Sequence, residues 1–166
     1  MKPKILALAG SNRQDSWNWK LVRFAAQYAE AAGVRVTLPS PEDLELPLVN
    51  EDLVAQEGYP EKARWWKRLF VEHHGLLIAS PEYNGFFTPA LKNLLDWLSI
   101  KETPEEPSLV AFRGKVAALL ATSPGSQGAC AACSCSGSSW NTSRSSYSPI
   151  RPASPTHPGP LTNTGT

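Results

Sequence analysis

Long apolar runs are missing from this 166-residue sequence. No window approaches the length of a membrane span, and the run nearest the N-terminus, Ile5 to Ala9, is too short for a signal-peptide core. An excess of either charge is missing too: Lys and Arg number 16 against 15 Asp and Glu, for a net charge of +1. No electrostatic footprint therefore points to nucleic acid, an anionic membrane or an acidic partner, and small-molecule binding in the cytoplasm is the expectation. Cysteine is confined to Cys130, Cys133 and Cys135, with no fourth ligand nearby, so no metal site is expected. His73 and His74 are adjacent and would point about 100° apart on a helix, which makes a helix end the better reading than a chelating pair.

What is present is an alternation of buried strands and helices. Ile5 to Ala9 is a continuous apolar run that stops at Gly10-Ser11-Asn12, the pattern of a strand covered on both faces. Ser16 is placed to cap a helix carrying Leu21, Phe24, Ala25, Tyr28, Ala29 and Ala32 at helical spacing, with Gly33 to end it. Val34 to Leu38 predicts a second strand, and Pro39 to about Gly58 a long connection with little regular structure. A helix over Pro60 to His74 then feeds a buried strand from Gly75 to Ser80. A third helix opens near Pro89 with Leu91, Leu94, Leu95 and Leu98 inward, and Val116 to Ala121 makes a fourth strand. Such alternation predicts an α/β, doubly wound parallel sheet whose ligands bind outside the carboxyl ends of the strands.

Three strand-end loops therefore carry the candidate chemistry. Gly10 to Asn18 leads from a strand to a helix N-terminus, whose unpaired N–H groups and dipole favour a phosphate. Ser11, Ser16 and Asn18 add short hydrogen-bonding groups there, and Arg13 a charge-assisted donor. A capped turn with a surface arginine explains the same composition equally well. Pro81 to Phe87 combines an irregular backbone at Pro81 and Gly85 with the flat faces of Tyr83, Phe86 and Phe87, which suit a planar heterocycle. An Asn-Gly turn with its aromatics in the core is the alternative. Trp17 and Trp19 read as packing residues, with narrowing of the site as the alternative, Trp65 and Trp66 as core or a dimer face, and Lys92 with Asp96 as a surface pair.

Gly10-Ser11-x-Arg13-x-x-Ser16-x-Asn18-x-x-Leu21, followed by Ser80-Pro81-Glu82-Tyr83-Asn84-Gly85 and by Pro89 to Ser99, resembles the NADPH-dependent FMN reductase family over residues 1–127. That family includes quinone, chromate and azo-dye reductases. The resemblance implies a flavodoxin-like fold with FMN as cofactor and NADPH or NADH as reductant. Ser11, Arg13, Ser16 and Asn18 would hold the FMN phosphate. Pro81, Glu82, Tyr83, Asn84 and Gly85 would border the isoalloxazine ring, and Ser123-Pro124-Gly125 would form the remaining flavin-contacting turn. It further implies ping-pong hydride transfer to a quinone-like or other small acceptor, no obligatory catalytic acid or base, and a homo-oligomer where the fold is complete. Two other readings stand beside it: a flavin-binding electron carrier without NAD(P)H activity, and a non-functional truncated product.

From Gly128 onward the chain has no Asp, Glu or Lys and few large aliphatic residues. This composition predicts that residues 128–166 form a disordered or frameshifted tail and that the sheet lacks its last strand and helix. Back-translation supports a slipped frame: read from each third codon base, Gln127 to Thr142 permits a leucine-rich amphipathic helix.

Overall fold

The short apolar runs form the centre of one parallel sheet. The computed structural model describes residues 2–123 and, as backbone alone, 146–149. Strand β1 (Lys4–Ala9) leads into helix α1 (Trp17–Ala31) and strand β2 (Arg35–Thr37). Helices α2 (Glu51–Glu57) and α3 (Glu61–Glu72) precede β3 (Gly75–Ala79). A hairpin of β4 (Glu82–Tyr83) and β5 (Phe86–Phe87) comes next, then helix α4 (Pro89–Ser99), β6 (Val116–Leu120) and β7 (Ser146–Pro149). The large sheet runs β2-β1-β3-β6-β7, every neighbour parallel. This is the flavodoxin-like order, with its topological switch between β1 and β3.

Side-chain size alternates across the central strands and sorts the helices. Leu6, Leu8, Leu76, Ile78 and Leu119 pack on one face against Trp66 and Phe70 of α3 and Leu91, Leu94 and Leu98 of α4. On the other face Ala7, Ala9 and Ala79 leave room for α1 to sit close, filled by Trp19, Val22 and Ala26. Fully burying each large side chain is worth about 1.5–3 kcal/mol, so these two layers hold the strand ends in register. His73 caps α3: one ring nitrogen meets the Leu69 carbonyl at 2.6 Å and the other the Thr37 hydroxyl at 2.7 Å.

Four expectations differ. The stretch from Pro39 to Gly58 carries a 3-10 turn at Pro41–Leu44 and the helix α2, which Asn50 caps through the Asp52 amide. Asn93 accepts from the Val49 amide and donates to the Pro47 carbonyl, which also receives the Trp97 indole, so this connection is pinned to α4. On α1 the buried stripe is Asn18, Trp19, Val22 and Ala26, while Phe24 and Tyr28 are exposed and lean on each other at 4.9 Å. The helix is apolar over more than one face, and close docking on alanines selects the face bearing Trp19. Trp17 is not a packing residue: at the first helical position it points to solvent, 62% exposed, with the Lys20 ammonium 4.6 Å above its ring.

The fourth difference concerns the sheet edge. A fifth strand is present, since β7 pairs with β6 from Val116↔Ser146 to Leu119↔Pro149. A ladder is made by backbone groups, which a composition argument overlooks. The expected disordered or frameshifted tail, the closing helix and the three cysteines otherwise lie outside the described residues.

Candidate functional site

In a parallel sheet the three loops leave from one edge, and the register shows how closely. Ala9 lies opposite Ala79, and Ala79 opposite Leu120, so the three strands end on the same rung. The rung is extended one step: the Gly10 amide donates to the Ala79 carbonyl at 2.7 Å, and the Ser80 amide to the Leu120 carbonyl at 3.0 Å.

In the first loop Ser11 and Ser16 are buried and Arg13 is exposed. Ser16 is the N-cap of α1, its hydroxyl accepting the Asn18 amide, and the Ser11 hydroxyl accepts the Arg13 amide. Trp19 contributes more than packing, since its indole N–H donates to the Ser11 carbonyl at 2.6 Å. The one carboxylate in the loop, Asp15, is paired with Lys20 at 2.5 Å. The Lys20 hydrogen bond and charge, with a smaller contribution from Arg13, hold its carboxyl below the usual range. Asn18 is buried, and its carboxamide is joined to the backbone of Thr122.

The second loop is a hairpin. Asn84 and Gly85 have φ of 54° and 79°, the paired left-handed residues of a tight two-residue turn. The Asn-Gly turn reading therefore holds, while the aromatics divide. Phe87 is buried in the core, whereas Tyr83 and Phe86, opposite each other across the hairpin, are 50% and 44% exposed. Glu82 and Pro81 are half-buried. Thr88 closes the loop: its hydroxyl donates to the Gly10 carbonyl at 2.5 Å and caps α4 through the Leu91 amide, while its own amide reaches the Ser80 hydroxyl. In the third loop Thr122 and Ser123 are half-buried, and Pro124 and Gly125 lie outside the described residues.

A sequence profile of NADPH-dependent FMN reductases matches residues 3–135, most of the chain. The chain belongs to the NADPH-dependent FMN reductase family. It is 36% identical over 131 residues to an NAD(P)H-dependent FMN reductase of Pseudomonas aeruginosa, covering 75% of this chain and 62% of that protein. It is 32% identical over 124 residues to the quinone reductase of Escherichia coli, covering 75% and 62%. Among solved structures, the flavoenzyme NAD(P)H:(acceptor) oxidoreductase FerB of Paracoccus denitrificans superposes with a TM-score of 0.72 at 27% identity, over 90% of this chain and 75% of that one. The chain thus spans about three-fifths of the length of the curated relatives it matches.

For a member of the FMN reductase family the relevant fit is to a phosphate and a flat ring. Among the described residues the hydroxyls of Ser11 and Ser16 each accept a hydrogen bond and donate none. Two buried O–H groups are left to donate to an acceptor, and beside the N-terminus of a 15-residue helix an anion is a favoured one. The exposed Tyr83 and Phe86 faces supply the apolar surface a ring needs. The residues present fit FMN.

Sequence reasoning passed over Thr88 and quoted Ser80 in the second motif without giving it a role. Thr before Pro89 is a readable cap signal, but its bond to the Gly10 carbonyl, 78 residues away, has no local trace.

Proposed function

We propose that this chain is the flavin-holding part of an FMN-dependent NAD(P)H oxidoreductase that serves a quinone-like or other small acceptor. The carrying observation is the pair of buried serine hydroxyls with unspent protons at the start of α1, on the rung where three loops converge. When bound, FMN would supply the chemistry of hydride transfer between NAD(P)H and the acceptor. Ser11, Ser16 and Arg13 hold its phosphate, with first-turn amides of α1 as further donors. Lys20 keeps the Asp15 charge from opposing that anion. Pro81, Glu82, Tyr83, Asn84 and Gly85 border the ring, as does Ser123, with Gly125 completing the third turn. The stiff Asn84-Gly85 turn fixes the angle at which Tyr83 is presented. No side chain is assigned as catalytic acid or base.

The decisive experiment is a titration of the purified chain with FMN, followed by flavin fluorescence, then anaerobic addition of NADPH. Saturable binding with bleaching of the flavin is expected. Binding without bleaching by NADPH or NADH would establish the electron-carrier reading, and a soluble chain that binds no FMN would refute the cofactor assignment. We further place the protein in the cytoplasm as a homo-oligomer without nucleic-acid partners, which sedimentation and fractionation test. A slipped reading frame from residue 128 is tested by the nucleotides of the gene: an early stop in the alternate frame refutes it.

A further inference from the structure

We propose that Asn18 is a positioning residue that sets the third loop against the start of α1, and not a ligand of the phosphate. The proposal rests on the FMN reading above for what the third loop touches. Asn18 is the second residue of α1 and is 2% exposed. Its Nδ2 donates to the Thr122 carbonyl at 3.1 Å, and its Oδ1 accepts the Thr122 amide at 3.1 Å. The carboxamide thus satisfies both backbone groups of one residue 104 positions away, as a neighbouring strand would. It does so just beyond Leu120, where β6 has ended and ladder partners run out. To turn toward an anion at the Ser11 and Ser16 hydroxyls, the side chain would have to release both groups of Thr122, half-buried and without another partner among the described residues.

One helical turn therefore divides two tasks. Ser16 faces the anion, and Asn18 reaches across to the loop carrying Ser123. A residue that fixes the third loop bears on the ring end of a flavin. A phosphate ligand bears only on the phosphate. FMN and riboflavin differ by that phosphate alone, so comparing them separates the two roles.

The experiment uses the whole chain as wild type, Asn18→Ala, Asn18→Asp and Thr122→Pro, titrated with FMN and with riboflavin by fluorescence quenching. Losing two hydrogen bonds predicts roughly tenfold weaker binding of both ligands to Asn18→Ala, with the FMN-to-riboflavin ratio within about twofold of wild type. Thr122→Pro removes the N–H that Asn18 accepts while leaving Asn18 in place, and the double variant should bind no worse than the weaker single variant. Weakening confined to FMN, unchanged binding of both flavins, or additive losses in the double variant would each overturn the proposal.

Amide exchange at Thr122 in the flavin-free chain gives a readout that needs no ligand. Asn18→Asp keeps an acceptor for that amide and loses only the donor to the carbonyl, so it is the control, and Asn18→Leu, which loses both, replaces Asn18→Ala where that variant does not fold. Faster exchange at Thr122 in Asn18→Ala or Asn18→Leu, with the Gly10 and Ser80 amides unchanged and Asn18→Asp close to wild type, is expected; unchanged exchange in Asn18→Ala or Asn18→Leu overturns the clamp. A wild-type chain that binds neither flavin refutes the FMN reading, and exchange at Thr122 alone then decides the clamp.

Discussion

Replacing Gly10 with alanine tests whether the three loops are as tightly joined as the geometry indicates. A Cβ built on Gly10 would lie 2.8 Å from the Leu91 Cβ, 2.9 Å from the Thr88 hydroxyl and 3.2 Å from Leu91 Cδ2. Ordinary carbon contacts begin near 3.5 Å, so α4 would have to withdraw by roughly 0.7 Å. Neither neighbour is a flexible chain end: Leu91 and Thr88 are buried in the first turn and cap of α4. Withdrawal also stretches the 2.5 Å bond from Thr88 to the Gly10 carbonyl. Overpacking of this kind costs about 1–3 kcal/mol, and a weakened hydrogen bond about 0.5–1.5. About 2–4 kcal/mol is therefore expected. In urea, with a slope near 2 kcal/mol per molar, that is a midpoint fall of roughly 1–2 M. Gly85 provides the contrast. It has open space around it but a φ of 79°, so Gly85→Ala carries only the left-handed penalty of about 1–2 kcal/mol. A Gly10→Ala midpoint within about 0.25 M of wild type, or a larger loss at Gly85, would refute the reasoning.

Phe87→Ala should lose about 3–5 kcal/mol of stability because Phe87 is 2% exposed in the core. Phe86→Ala, which loses the stacking on Phe87 at 4.3 Å, should cost about 1 kcal/mol, less than Phe87→Ala, yet raise the KM for aromatic acceptors, as paired melting curves and steady-state assays would show. Ser16→Ala removes an N-cap and should cost about 1 kcal/mol. It should also weaken FMN while sparing riboflavin, and equal weakening of both would remove Ser16 from the phosphate. Glu106 supplies the pH test. Its burial raises the carboxyl pKa, but the Lys67 hydrogen bond at 2.8 Å, the Glu102 amide and the charges of Lys67 and Lys101 outweigh burial and leave it below the usual value. Its stabilisation is thus present above the unfolded glutamate range and fades as pH falls through the lowered folded value. Glu106→Gln should show a smaller urea-midpoint drop between pH 7 and pH 4 than wild type; equal drops would mean that Glu106 is not coupled to folding.

Much of the frame was legible because its signals are local. Continuous apolar runs ending at Gly10 and Pro81, a serine cap at Ser16 and Pro89 in a first turn each restrict the backbone within a few residues, and the strands and helices formed there. The helix α2 went unread although Asn50-Glu51-Asp52 carries a cap and an acidic first turn, because it has no buried residue to give a periodic stripe. The face of α1 was unreadable for the opposite reason, apolar residues on too many sides. Around the site, the loops were visible as compositions, whereas the bonds that join them were not. Asn18 to Thr122 and Thr88 to Gly10 are set by which strands lie adjacent, and that is decided by the whole sheet.

The way the hairpin is anchored has a bearing on how such a site changes over generations. Its fixed points, Ser80 and Thr88, bond inward to the backbone and to each other, while at the outer end Tyr83 and Phe86 are half-exposed and the fold holds Phe86 by its stacking on Phe87 at 4.3 Å. Substitutions at Tyr83, and aromatic exchanges at Phe86 that keep its stacking, therefore cost folding little and are exposed to selection chiefly through what they touch. On the function proposed above, a lineage can try new acceptors by exchanging two aromatic side chains on a stiff turn, without first acquiring a stabilising mutation elsewhere.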